Sequence, residues 1–306
     1  MKAKHALVTG AYGFLGRHVA RTFSDNGFLV TGIGHGSWQR SEWERWGVSE
    51  WHECSVTLES LADYVQRPDV VVHCAGSGSV GFSLIHPMQD FERTVSTTLT
   101  MLEFLRIHSP HSVFVYPSSA AVYGDVKYLP IAESISPAPV SPYGTHKKIA
   151  EDLIGSYARH FSQRVAIARF FSLYGPGLKK QLLWDTCRKV DCGDNRFYGT
   201  GHEVRDWLHV RDAARLLFIL SSHASSDVLI VNGGSGTGTT VREIVTAILE
   251  TMKRGGSPEF SQVQKAGDPP GYVADIRKAA SYGWKPEISL DYGIDEYIRW
   301  YRSGAL

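Results

Sequence analysis

The chain has 306 residues, enough for one large α/β domain or two smaller ones. Its 32 Lys and Arg nearly balance 31 Asp and Glu, so charge gives no case for nucleic acid or an anionic membrane surface as a partner. No run approaches the roughly 18 apolar residues that suggest a membrane span. Ala6 to Thr9 is a short apolar strand that ends in a glycine turn. Phe14 to Phe23 comes next with apolar residues at helical spacing, then Phe28 to Ile33 and Asp69 to His73 as strands. Phe91 to Ile107 reads as one long helix, Ser112 to Tyr116 as a strand, Tyr143 to Phe161 as a second long helix, and Val165 to Phe171 as a further strand. Continuous apolar strands separated by helices predict a Rossmann-type, doubly wound parallel sheet covered on both faces. After Gly175-Pro176-Gly177 the rhythm loosens into helices at Leu182–Val190, Val210–Leu220 and Val241–Met252, with a loop-rich stretch over Asn232–Gly238. We therefore expect a cofactor domain over 1–172. Residues 173–306 are expected to form mainly a smaller, C-terminal substrate-binding lobe that can return strands to the large sheet. Trp38, Trp43, Trp46 and Trp51 read as local packing. Cys54, Cys74, Cys187 and Cys192 are scattered and read as free thiols, with no metal site. Met1–His5 runs straight into the first strand, so we expect no signal peptide and a cytoplasmic location.

Three features carry chemistry. Gly10, Gly13 and Gly16 have the spacing G-x-x-G-x-x-G between a strand and a helix. Glycines there permit a tight turn and close approach of backbone to a pyrophosphate, which the helix N-terminus attracts. Tyr143 and Lys147 stand four apart on the second long helix, hence on one face. An ammonium near a phenol favours the phenolate and brings its pKa toward working pH, so tyrosine can act as an acid or base. The third feature is an absence. The second strand ends Gly32-Ile33-Gly34-His35-Gly36-Ser37, without the carboxylate that would bind the ribose 2′-hydroxyl of NAD. His35, Ser37 and Arg40 are compatible with a 2′-phosphate, so the expected cofactor is NADP, with NAD second.

These residues resemble the extended short-chain dehydrogenase/reductase family, the nucleotide-sugar epimerases, dehydratases and reductases. The likeness runs through Thr9–Gly16, His73-Cys74-Ala75-Gly76, Ser118–Gly124, Tyr143-xxx-Lys147, Arg169–Pro176 and Arg205–Val210. It implies that Ser119 hydrogen-bonds the reacting oxygen and Tyr143 moves its proton. It also implies that Lys147 holds the nicotinamide ribose and lowers the tyrosine pKa. Gly10, Tyr12, Gly13, Phe14, Leu15, Gly16, Ala75 and Gly76 would lie along the cofactor. Ser79, Ser118, Ser172, Lys180, Trp184 and Arg205 would face a nucleoside-diphosphate sugar. The family's usual asparagines are replaced by Thr94 and Ser172. Resemblance further implies a homodimer through the two long helices, and work in O-antigen or other surface-polysaccharide precursor synthesis.

The two residues after Ser119 narrow the reaction. In the family's 4,6-dehydratases an Asp-Glu pair stands there, and the decarboxylases carry a glutamate. Here those positions are Ala120 and Ala121, which transfer no proton. A reductase acting with NADPH on a 4-keto-6-deoxy sugar and an NAD-dependent 4-epimerase remain. The missing acid at Gly34 favours the reductase. A non-catalytic NADP-binding sensor is the third reading, and the intact Ser119, Tyr143 and Lys147 argue against it.

Overall fold

The computed structural model describes residues 3–65, 67–254, 256–263 and 271–304. The N-terminal half alternates strand and helix. It runs β1 (Lys4–Thr9), α1 (Phe14–Asp25), β2 (Phe28–Gly34), α2 (Arg40–Arg45), β3 (Glu50–Glu53), α3 (Leu58–Tyr64) and β4 (Val70–His73). Next come α4 (Val80–Ile85), α5 (Pro87–Phe91), one π-helical turn (Glu92–Ser96), α6 (Thr97–His108) and β5 (Val113–Ser119). The long α7 (Pro142–Phe161) and β6 (Arg164–Phe170) complete this half.

The C-terminal half holds β7 (Ser172–Tyr174), α8 (Gln181–Asp191), β8 (Arg196–Phe197), β9 (Val204–His209) and α9 (Val210–His223). It continues with β10 (Leu229–Gly233), β11 (Gly238–Thr240), α10 (Val241–Thr251), β12 (Glu259–Phe260), β13 (Gly271–Tyr272), α11 (Arg277–Ser281) and α12 (Leu290–Arg302).

Seven strands form a parallel sheet in the order β10-β6-β5-β4-β1-β2-β3. Side chains alternate along each strand, and each face collects its own core. Ala6, Val8, Val72 and Val115 face Val19, Phe23, Leu216, Leu217 and Leu220. Leu7, Val71 and Phe114 face Met101, Leu102, Leu105, Ile154 and Ala158. The strand order reverses between β1 and β4, the place where parallel α/β sheets open a crevice at their carboxyl ends. β10 comes from the C-terminal half yet pairs with β6 in the large sheet, Leu229 beside Ala166. The rest of that half builds a small sheet around β9 and a third core of Tyr174, Leu183, Trp207, Ile244, Ile248 and Tyr297.

The helix expected over Phe91–Ile107 is instead α5, the π turn and α6. On the outer surface of α6 and α7, Leu99, Ile107 and Phe161 are exposed. Among the described residues, no helix is long and apolar enough to cross a membrane.

Candidate active site

The glycine loop is fixed by contact between backbones. Gly10 has φ +66°, and a Cβ on it would stand 2.8 Å from the Ala75 nitrogen and the Cys74 carbonyl carbon. A Cβ on Gly16 would stand 2.1 Å from the Gly10 carbonyl oxygen. The loops after β1 and β4 therefore touch, which only glycine allows. Thr9 ties them further: its hydroxyl accepts from the Ala75 amide at 3.1 Å and pairs with His73 Nδ1 at 2.8 Å. Burial, and then the Lys147 charge, holds His73 down at about 3, so its ring is neutral. Helix α1 begins at Gly13 without a side-chain cap or an acid in its first turn. Its free N–H groups suit an anion. This cradle fits a dinucleotide pyrophosphate, with Gly10–Gly16 on one side and Ala75-Gly76 on the other.

The serine pair at the end of β5 divides by strand alternation. Ser119 Oγ accepts from the Ala121 amide at 3.2 Å and caps the 3₁₀ turn Ala120–Val122. It also lies by the Tyr143 phenol and draws its pKa down. Ser118 points the other way, is buried, and donates to Glu151 Oε1 at 2.5 Å. Ser118 thus holds the scaffold and does not face the cleft, contrary to its expected place on the substrate.

Helix α7 starts at the Ser141 cap with Pro142 in its first turn. Gly144 lets it approach β5, because a Cβ there would lie 2.5 Å from the Ala121 carbonyl oxygen. That approach brings Tyr143 to Ser119.

The electrostatics differ from expectation. Burial raises the Tyr143 phenol, Ser119 pulls it partly back, and the Asp90 charge raises it further. The hydrogen bonds of Lys147 run to other groups. The ammonium is buried and donates to Tyr116 Oη at 3.2 Å and to the Pro117 carbonyl at 3.0 Å, so it is directed beneath the strand end. Burial holds Lys147 itself down at about 8. In the fold the charged amine is therefore penalised below about pH 8, and the penalty vanishes as pH rises through about 10.5, the ordinary lysine value. Relative to Lys147→Met, the wild type is expected to gain about 3 kcal/mol of stability across that window. Urea titrations of both proteins would show it; a pH-independent difference would mean that Lys147 titrates normally.

The other expected residues fall in three places. Lys180 stands just before α8 and its amine reaches across to the Gly78 carbonyl at 3.3 Å, which brings it to the loop that carries Ser79. Ser79 caps α4 by accepting from the Phe82 amide. Ser172 and Arg205 lie on the paired strands β7 and β9, with Ser172 opposite Trp207. Phe14 and Leu15 are half-buried, and Phe14 packs against the C-terminal core. Trp184 is turned inward, its ring 5.4 Å from Tyr301 and 6.1 Å from Trp300. That packing on α12 answers for the tryptophan without a nucleotide base. Tyr12, His35 and Ser37 are exposed at the mouth of the glycine loop. Arg40 is the first residue of α2 and pairs with Glu44 at 2.8 Å.

Sequence reasoning missed several supports. Glu151 lies one turn beyond Lys147 and grips Arg169 in a buried fork, with Nη2 to Oε2 at 2.7 Å. The spacing 143, 147, 151 was its available signal. Tyr116 and the Asp90–His146 pair at 2.6 Å had none. Thr94 sits in the π turn and accepts the Ser77 amide at 3.3 Å.

The model of the family described as "NAD dependent epimerase/dehydratase family" matches residues 6–232. The chain belongs to this family. Among similar members, a putative UDP-glucose 4-epimerase of Methanocaldococcus jannaschii is 28% identical and aligns over 97% of this chain and 98% of its own. The UDP-glucose 4-epimerase of Thermotoga maritima, solved with UDP-glucose, has TM-score 0.88 and 25% identity over 99% of this chain and all of its own. The Brucella ovis UDP-glucose 4-epimerase, solved with NAD, has TM-score 0.84 and 28% identity over 96% of this chain and 97% of its own. This epimerase/dehydratase family member is accordingly an NAD(P)-dependent nucleotide-sugar enzyme with a Rossmann-like fold. The reductase reading finds no support among these relatives, whose names point to 4-epimerisation.

Proposed function

We propose that the protein is a nucleotide-sugar 4-epimerase acting on a UDP-linked hexose. The observation that carries this reading is Ser119, at the end of β5, placed next to the Tyr143 phenol at the start of α7 beside the glycine cradle, with alanine at both positions after Ser119. When bound, the nicotinamide supplies reversible two-electron acceptance at C4 of the sugar. Tyr143 takes the proton of the C4 hydroxyl and returns it, and Ser119 holds the oxygen. Ala120 and Ala121 offer no second acid or base, so no water is eliminated. The UDP-sugar names of the relatives support the substrate class.

The cofactor we propose is NADP, because Gly34 puts no carboxylate where NAD would be bound by its 2′-hydroxyl. The same observation is what favours the second reading, a 4-keto sugar reductase.

The two reactions differ in stoichiometry. Epimerisation approaches one equilibrium mixture of UDP-glucose and UDP-galactose from either side and consumes no dinucleotide. Stoichiometric NADPH oxidation on a 4-keto-6-deoxy sugar nucleotide, without inversion of UDP-sugars, would establish the reductase. Dinucleotide binding without turnover of either class would leave the non-catalytic sensor.

A further inference from the structure

The end of β2 carries no acid and is tightly packed. A Cβ on Gly34 would lie 3.2 Å from the Trp51 ring and 3.4 Å from the Gly10 Cα. Trp51 belongs to an edge-on cluster with Trp38, at 5.3 Å, and Tyr12 adjoins both rings.

Into this cluster projects Arg17, the fourth residue of α1. Helical side chains lean toward the N-terminus, and this one returns to the glycine loop. Its Nη2 donates to the Tyr12 carbonyl at 2.5 Å and its Nε to the Gly13 carbonyl at 3.3 Å. Its Cζ lies 5.3 Å from the Tyr12 ring centre, 5.8 Å from Trp38 and 5.5 Å from Trp46. Two carbonyls and three aromatic rings thus fix a half-buried guanidinium.

A guanidinium has five N–H donors, and two are used here. Among the described residues no carboxylate lies within ion-pair distance of it, whereas Arg21 is paired with Asp25 and Arg40 with Glu44. Burial disfavours this cation, the Glu42 charge beyond ion-pair distance offsets part of that, and an anion beside it would offset more. Its place is between the loop after β1 and the segment after β2. Rossmann folds set the adenosine ribose 2′ group there, and an arginine nearby can accommodate a 2′-phosphate.

We propose that Arg17 is the anchor of the 2′-phosphate of NADP and the residue that selects NADP over NAD. The proposal rests on the NADP reading of the cofactor site. It moves the phosphate contact from Arg40, which Glu44 already holds, to a cation built into the glycine loop.

The test uses the full chain stripped of bound nucleotide, titrated with NADPH and NADH by fluorescence. Wild type is expected to prefer NADPH. Arg17→Gln should weaken NADPH about 10- to 100-fold more than it weakens NADH. Arg17→Lys, which keeps charge without the fork, should lose less. A wild-type preference for NADPH that survives intact in Arg17→Gln and Arg17→Lys would overturn the assignment and spare the NADP reading. Equal or tighter binding of NADH by wild type would overturn both, while UDP-sugar inversion would still decide the epimerase reading. Competition on wild type guards against a variant that fails to fold: adenosine 2′,5′-bisphosphate should displace NADPH better than 5′-AMP, and equal displacement would refute a 2′-phosphate site.

Discussion

Replacing Tyr143 with phenylalanine is expected to lower turnover by about 10²–10⁴-fold while dinucleotide affinity stays nearly the same. Phenylalanine keeps the ring and removes only the hydroxyl. The Tyr143 amide still donates to Ser83 Oγ at 3.0 Å, so the start of α7 keeps its seat. What is lost is the one phenol that Ser119 meets. Burial raises that phenol, so it is protonated at neutral pH and ready to give a proton. As a base it must first lose the proton against the same burial and the Asp90 charge. Ser119 is the neighbour that pulls in the helpful direction, and Ser119→Ala should therefore slow proton removal more than proton return. Steady-state turnover with UDP-glucose, set beside NADPH titrations of the same protein, makes the measurement. Near-normal turnover in Tyr143→Phe would place the acid elsewhere.

The parts of this site that were legible in the sequence share one property: the residue type is forced locally. Gly10 and Gly16 cannot carry a Cβ against the backbone of a neighbouring turn, and a strand–glycine–helix string announces that on its own. Tyr143 and Lys147 share a face by helical period alone. Their partners were not legible, because strand alternation and sheet order decide them. Ser118 and Ser119 look equivalent in a string, yet the pleat sends one to Glu151 and the other to Tyr143. Lys147 is four residues from Tyr143, but Tyr116 and Pro117, on a different strand, take its donors.

The Phe91–Ile107 span is helical throughout, and the π turn inside it escaped the sequence for a related reason. Apolar spacing survives the extra residue of a π turn, so the sequence shows continuity where the backbone bulges at Thr94. Such bulges occur often at functional sites, and here Thr94 receives the Ser77 amide of the loop after β4. β10 was hidden because five residues ahead of a glycine-rich loop give little periodicity, and its partner β6 is some sixty residues away. The relatives favour the 4-epimerase over the reductase at a different level. The residue at the end of β2 speaks to the ribose of the cofactor and carries no information on the fate of the sugar ketone.

Glu151→Gln is expected to cost about 3–5 kcal/mol of stability, the usual penalty for removing one partner of a buried ion pair. Arg169 and Glu151 are each almost wholly buried. Glutamine preserves the shape and leaves an oxygen for Ser118, so the loss would report the charge. The Arg169 cation would keep an amide oxygen and the Tyr123 side chain, whose ring centre is 4.8 Å away, but no counter-charge from residue 151. Tyr123 in turn donates to Asn232 Oδ1 at 2.7 Å, and Asn232 Nδ2 donates to the Ile131 carbonyl at 2.8 Å. One buried network thus joins the catalytic helix α7, the end of β5, and β10 from the C-terminal half. Replacing both ions with apolar residues, Glu151→Leu with Arg169→Met, should recover most of the stability, since no charge is then left unpaired. It should not recover turnover to the same extent, because Ser118 loses its acceptor and Ser119 is the next residue on the strand. Urea unfolding and UDP-glucose turnover on the same three proteins separate the two effects. If Glu151→Gln unfolds within about 1 kcal/mol of wild type, the pair is not what fixes this corner, and the placement of Ser119 has to come from the Gly144–Ala121 contact alone.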